Sequence, residues 1–159
     1  GAVQVPRPLW RMVDDLLGEA RCDQPGLFVD RGVEQEVRGI REAVDTGAEF
    51  PPHCGHSMAE ALVTLLESLS LSVVPESACS AVSEAGVATV DVGERAHKFL
   101  EGLPPSHRHV FAYLTSLFRF VLARQAKNGV TAERLVLVQR SCLLPDAWRP
   151  TRRGEEGVP

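Results

Sequence analysis

Apolar residues recur at helical spacing along most of the chain, and strand-like alternation is nowhere sustained. Leu9, Val13, Leu16, Leu17 and Ala20 predict an amphipathic helix over residues 8–20, with Pro8 in its first turn. A loop over 21–32 holds Pro25, Gly26 and Gly32, after which Val33, Val37, Ile40 and Val44 mark a second helix closed by Asp45-Thr46-Gly47. The strongest pattern is SMAEALVTLLESL, residues 57–69. Ser57 and Glu60 have the spacing of a capping box, and Met58, Ala61, Leu62, Leu65, Leu66 and Leu69 form a broad apolar face. Val63 and Thr64 leave little polar surface before Glu67, so this helix is expected to be covered on two sides.

Further on, a marginal helix is expected over Ser77–Glu84, and a short one capped by Asp91 that carries Ala96, Phe99 and Leu100. The longest helix should start after Pro104-Pro105 with Ser106 as its cap. It turns Val110, Leu114, Leu117, Phe118, Val121 and Leu122 inward and stops at Asn128-Gly129. Thr131 caps another helix bearing Leu135 and Val138. The whole reads as an all-α helical bundle, with a domain over 5–144 and a polar, glycine-bearing tail over 145–159 expected to be disordered.

Composition narrows the function classes. A chain of 159 residues with 44% hydrophobic and 24% charged positions suits one domain with a real core. No apolar run approaches the roughly 18 residues of a membrane span. The net charge of −4 and the scattered Lys and Arg give no footprint for nucleic acid or an acidic lipid surface. Cys22, Cys54, Cys79 and Cys142 lie far apart, as thiols of a reducing compartment do, and the amino end has no signal-peptide core, so a cytoplasmic address is expected. The chain starts at Gly, as an excised piece of a longer protein would.

Candidate chemistry is sparse. There is no P-loop, nucleophile elbow or HExxH. His53, Cys54 and His56 look like a metal cluster, but a structural zinc site closes with a second ligand pair and only the distant His107 and His109 are available. No metal and no cofactor are expected. Trp10 is either a core anchor or a partly exposed aromatic contact.

Four stretches carry a resemblance. VPRPLWRMVDDL, the loop Gly26-Leu27-Phe28 ahead of IREAVDTG, HSMAEALVTLLESL opened by His56, and HVFAYL running on to AKN resemble a RhoGAP domain over roughly residues 5–144. Within that family they are most similar to the RhoGAP-like domains at the carboxyl end of the Lowe-syndrome-type and type II inositol polyphosphate 5-phosphatases. An active RhoGAP domain inserts an arginine beside the phosphoryl group in transfer on a bound Rho-type GTPase, and such a finger is worth roughly 10³–10⁵ in rate. The resemblance implies that the finger directly follows Gly-hydrophobic-Phe, where this chain has Val29. Valine has neither charge nor donors, and Arg31 is the nearby candidate for a displaced finger.

Other departures follow from the same comparison of motifs. The Lys and Arg that support the finger fall on Val63 and Glu67, and two prolines fall on Ser70 and Ser72. The second Asn of the later Asn-x-x-x-x-x-Asn-Leu-Ala motif is Arg134, the first being retained as Asn128, and Gln139-Arg140-Ser141 stands where Phe-Gly-Pro is frequent. The family adds another helix beyond this point, so a shortened carboxyl end is expected. The resemblance implies a catalytically inactive interaction domain. Its implied partners are Rho-family GTPases of the Rac and Cdc42 type, held through Lys127 and Asn128, and endocytic adaptor peptides, held at Trp10, with recruitment to endosomal membranes but no insertion into them. Two alternatives stand beside it: a weakly active Rho GTPase activator, and a fragment of a phosphoinositide 5-phosphatase whose catalytic domain lies upstream. Lys127 also reads as a plain helix-end cation favoured by the dipole.

Overall fold

Helical spacing of apolar residues becomes helices throughout the described part of the chain, which in the computed structural model is residues 4–18, 20–84 and 91–149. In order these are α1 (Arg7–Leu17), α2 (Glu34–Thr46), α3 (Gly55–Glu67), α4 (Glu76–Glu84), α5 (Val92–Gly102), α6 (Pro105–Ala123), the single-turn α7 (Gln125–Asn128) and α8 (Ala132–Leu143). Short 3-10 turns lie at Arg21–Asp23 and Asp146–Trp148, and no strand occurs among the described residues.

The centre is α3, which packs against α1, α2 and α8. Met58, Ala59, Ala61, Leu62 and Leu66 are all buried, as expected of a helix with so little polar surface. Around it α1 supplies Leu9, Met12, Val13 and Leu16, α2 supplies Ile40 and Ala43, and α6 supplies Leu114, Leu117, Phe118 and Val121. Leu135, Val138, Cys142 and Leu143 of α8 close the core. Trp10 is not part of it: the residue is 50% exposed on α1, so the core-anchor alternative fails.

Two caps are as read and two are not. Asp91 accepts from Gly93 N and Thr131 from Arg134 N. However, α3 starts at Gly55 behind Cys54, and Ser57 is buried within its first turn with its hydroxyl turned to another segment. Likewise α6 starts at Pro105 behind Pro104, because a proline with no N–H fits the first helical position unaided, which leaves Ser106 inside the turn. The long helix also stops early, at Ala123. Arg124 leaves the helical region at φ −101° and ψ 16°, and α7 continues to Asn128 before Gly129 turns left-handed at φ 69°.

At the carboxyl end the packed chain runs past the boundary expected at Leu144. Trp148 lies against the core, Arg149 Nε donates to Leu144 O, and both Arg149 Nη atoms donate to Glu67 O at the end of α3. A cation at that terminus is favoured by the helix dipole. The rest of the expected tail, residues 150–159, lies outside the described residues.

All four cysteines are free thiols, and burial pushes Cys142 up to about 12 and Cys22 up to about 11.

Asn128 is the buried polar junction of the bundle at 2% exposure. Its Nδ2 donates to Cys22 O at 2.8 Å and Val121 O at 2.9 Å, and its Oδ1 accepts from Val130 N at 2.8 Å. One side chain thus joins the Arg21–Asp23 turn, the end of α6 and the approach to α8. Asn128→Ala would leave Cys22 O and Val130 N without this partner and take one of two bonds from Val121 O, which also accepts from Arg124 N; we expect it to cost about 2–4 kcal/mol in urea unfolding, and a loss near zero would contradict this role.

Candidate functional site

The segment from Gly26 to Val33 leads from the Arg21–Asp23 turn into α2. Gly26 has φ 74°, a conformation that suits glycine, and its carbonyl accepts from both Val29 N and Asp30 N. Leu27 and Phe28 are buried, the Phe28 ring standing 5.6 Å from that of Phe118. With these two turned inward, Val29 is turned outward at 48% exposure. Phe28 holds φ 62°, a region unfavourable to a bulky side chain, so the surroundings must impose it.

Those surroundings reach the loop from three sides. Gly26 N donates to Asn128 O at 2.9 Å. Arg134 of α8 donates to Phe28 O from Nε at 3.3 Å and from Nη2 at 3.1 Å. Gly32 N donates to Glu60 Oε2 at 2.6 Å and Val33 N to Ser57 Oγ at 3.0 Å. Ser57 Oγ in turn donates to Glu36 Oε2, which also accepts from Cys54 N at 3.1 Å. These bonds, the Ser57 hydroxyl's first among them, hold the Glu36 carboxyl below the usual carboxylate range.

Gly32 has no alternative at its position. A Cβ there would lie 2.5 Å from Ser57 Cα and 2.9 Å from Ser57 N, both atoms of the α3 backbone. Ser57 and Glu60 are therefore the right pair at the right spacing with a different partner: they hold the loop, not their own helix terminus. The sequence signal for them was the capping-box spacing. Nothing in the chain marked Glu36 or Arg134 as their companions.

Between the loop, α3 and α8 runs a groove of about 480 Å³ lined by Val29, Arg31, Val63, Glu67 and Arg134 among others. The structure thus brings together five of the residues singled out from sequence. Of these, Val29 and Val63 are apolar and Glu67 is a carboxylate, its Oε1 accepting from Ser141 Oγ at 3.1 Å. Lys127 and Asn128 lie apart from the groove's lining. Asn128, expected as a GTPase contact, is buried, with its amide nitrogen bonded to Cys22 O and Val121 O and its amide oxygen to Val130 N, while its backbone carbonyl takes the Gly26 amide. Lys127 is exposed and pairs with Asp23 Oδ2 at 3.0 Å. Trp10 stands on α1, outside the groove.

The His53, Cys54 and His56 side chains do not converge. His53 Nε2 lies 2.8 Å from Asp15 Oδ2, Cys54 Sγ is 3.2 Å from Ser57 Oγ, and His56 Nε2 is 2.8 Å from Pro25 O. No group of three or more metal-binding side chains occurs among the described residues.

Because Glu36 titrates lower in the folded state, its contribution is present above the unfolded carboxyl range and lost as pH falls through its folded value. The acid limb of the stability curve should accordingly flatten in Glu36→Gln. Urea midpoints measured down the acid range check this; an unchanged acid limb would contradict it.

A profile of the RhoGAP domain matches residues 6–147. The mouse type II inositol 1,4,5-trisphosphate 5-phosphatase is 34% identical over 151 residues, which is 92% of this chain and 14% of that protein. The chain thus spans a small part of that relative's length. Among solved structures, human Rho GTPase activating protein 15 superposes with a TM-score of 0.76 over 87% of this chain and 69% of that one, at 19% identity, a likeness of fold alone. With the profile covering nearly the whole described chain and an all-helical bundle of matching fold, the protein belongs to the RhoGAP domain family.

Proposed function

We propose that this domain is a RhoGAP fold without GTPase-activating chemistry, retained as a binding surface for Rho-family GTPases of the Rac and Cdc42 type. The observation that carries this is Val29. It occupies the outward-turned tip of the loop that follows Gly26-Leu27-Phe28, half exposed in a groove that also holds Val63 and Glu67. A phosphoryl-transfer transition state gathers negative charge, and its stabilisation requires a cation held in place. Valine supplies none, and the Glu67 carboxylate opposes it. The scaffold that presents the loop is nonetheless complete, which supports binding without catalysis. Arg31 lines the same groove and is exposed, and it is the residue on which a weakly active alternative rests.

A second surface supports peptide docking. Trp10 is half exposed, and near the start of α1 an apolar groove of about 340 Å³ is lined by Pro6, Pro8, Leu9, Leu69, Leu71 and Val110. Leucine-lined grooves of this kind take the apolar face of an amphipathic helix. Endocytic adaptor peptides are the proposed ligands, by the likeness to inositol polyphosphate 5-phosphatases. Recruitment to endosomes would follow from such partners. No helix among the described residues is long and apolar enough to cross a membrane.

Titration of GTP- and GDP-loaded Rac and Cdc42 against the domain tests the first surface. Saturable binding of at least one loaded form is expected, and its absence in all of them would overturn the reading. For the second, Trp10→Ala should abolish adaptor-peptide binding while far-UV circular dichroism stays unchanged; loss of helical content would mean that Trp10 holds the fold instead.

A further inference from the structure

Arg134 grips the loop with one edge of its guanidinium. Nε and Nη2 share the Phe28 carbonyl, which leaves Nη1 and the outer N–H of Nη2 without a partner among the described residues. No carboxylate among the described residues lies within ion-pair distance of Arg134, nor of Arg31. Both line the Val29 groove, Arg134 from α8 and Arg31 from the loop. The groove's acidic groups are engaged or turned aside. Glu60 Oε2 takes the Gly32 amide, Glu67 Oε1 takes the Ser141 hydroxyl, and the Asp30 carboxylate lies over Gly26.

Two guanidiniums without a carboxylate partner among the described residues therefore lie beside an exposed valine in a chain whose net charge is −4. A guanidinium fork is matched by a carboxylate in bidentate geometry, and a half-exposed valine by an apolar contact. We propose that Arg31 and Arg134 form a two-point clamp for acidic side chains of the docked GTPase, with Val29 as the apolar contact between them. This rests on the docking reading above and specifies its chemistry. Arg134 has two roles in it: one edge positions the loop and the other meets the partner. The position that would deliver a cation to the nucleotide instead delivers a methyl-bearing knob, and the cations beside it address the partner protein.

The experiment is a titration of the loaded GTPase that binds best, at low and at high salt, against the wild-type domain, Arg31→Gln, Arg134→Gln and the double variant. Glutamine keeps a donor for Phe28 O while removing the charge, Arg134→Lys keeps the charge without the fork, and circular dichroism monitors folding. Arg31 makes no side-chain bond among the described residues, so its variant tests the clamp even if Arg134→Gln is destabilised. Each glutamine variant should bind about tenfold more weakly at low salt and lose less affinity on adding salt than the wild type. Arg134→Lys should recover part of the low-salt loss. A purely structural Arg134 would not change the salt dependence. Glutamine variants that bind like the wild type, with the same salt dependence, would overturn the clamp alone. A wild-type domain that binds no loaded Rac or Cdc42 at low salt would overturn the docking reading and the clamp with it.

Discussion

Contact between the backbone at Gly32 and the backbone of α3 is the constraint on which the site depends. The two chains approach so closely that no side-chain atom fits between them, and the approach is held by Ser57 on one amide and Glu60 on the next. Because α3 is itself locked among α1, α2 and α8, the loop inherits the rigidity of the core. Asn128 fixes the loop's other end through the Gly26 amide, and Arg134 holds its middle through the Phe28 carbonyl. The strained φ of Phe28 persists because its ring is buried against Phe118 and its carbonyl is held from α8.

None of these anchors uses the side chain at position 29. The loop is held by backbone groups of Gly26, Phe28, Gly32 and Val33 and by the buried side chains of Leu27 and Phe28. Fold and catalysis are therefore separable here: the residue at the tip can change without disturbing what presents it. Val63 and Glu67 lie on the groove face of α3 while Met58, Leu62 and Leu66 face the core, so the same separation holds for that helix. Val29 and Val63, with the Glu67 carboxylate and the Arg31 and Arg134 guanidiniums beside them, give the groove the mixed apolar and charged character of a protein-contact surface.

Apolar spacing was enough to find the helices, because each stripe in α1, α3, α6 and α8 faces one shared core. It misplaced Val33, which is 53% exposed ahead of α2, because a run of apolar residues does not say where a helix begins. It also misassigned Ser57 and Glu60. Their local spacing suits a cap, and only the tertiary approach of Gly32 offers them better donors. Asn128 was legible as a special residue yet not as a buried one, since an asparagine ahead of Gly129 reads equally as a helix stop. Val29 was singled out by its motif alone, and the structure turns it outward at the tip of the loop. The grip of Arg134 on Phe28 was not legible, because the two are 106 residues apart in the chain.

The central claim is that this RhoGAP fold binds without accelerating hydrolysis. Single-turnover GTP hydrolysis by Rac and Cdc42, with the domain present at concentrations that saturate binding, tests it most directly. The expected result is a rate within a few-fold of the GTPase alone, against the roughly 10³–10⁵ that a functional arginine finger supplies. Acceleration well beyond a few-fold that disappears in Arg31→Ala would contradict it, and would make Arg31 a displaced finger.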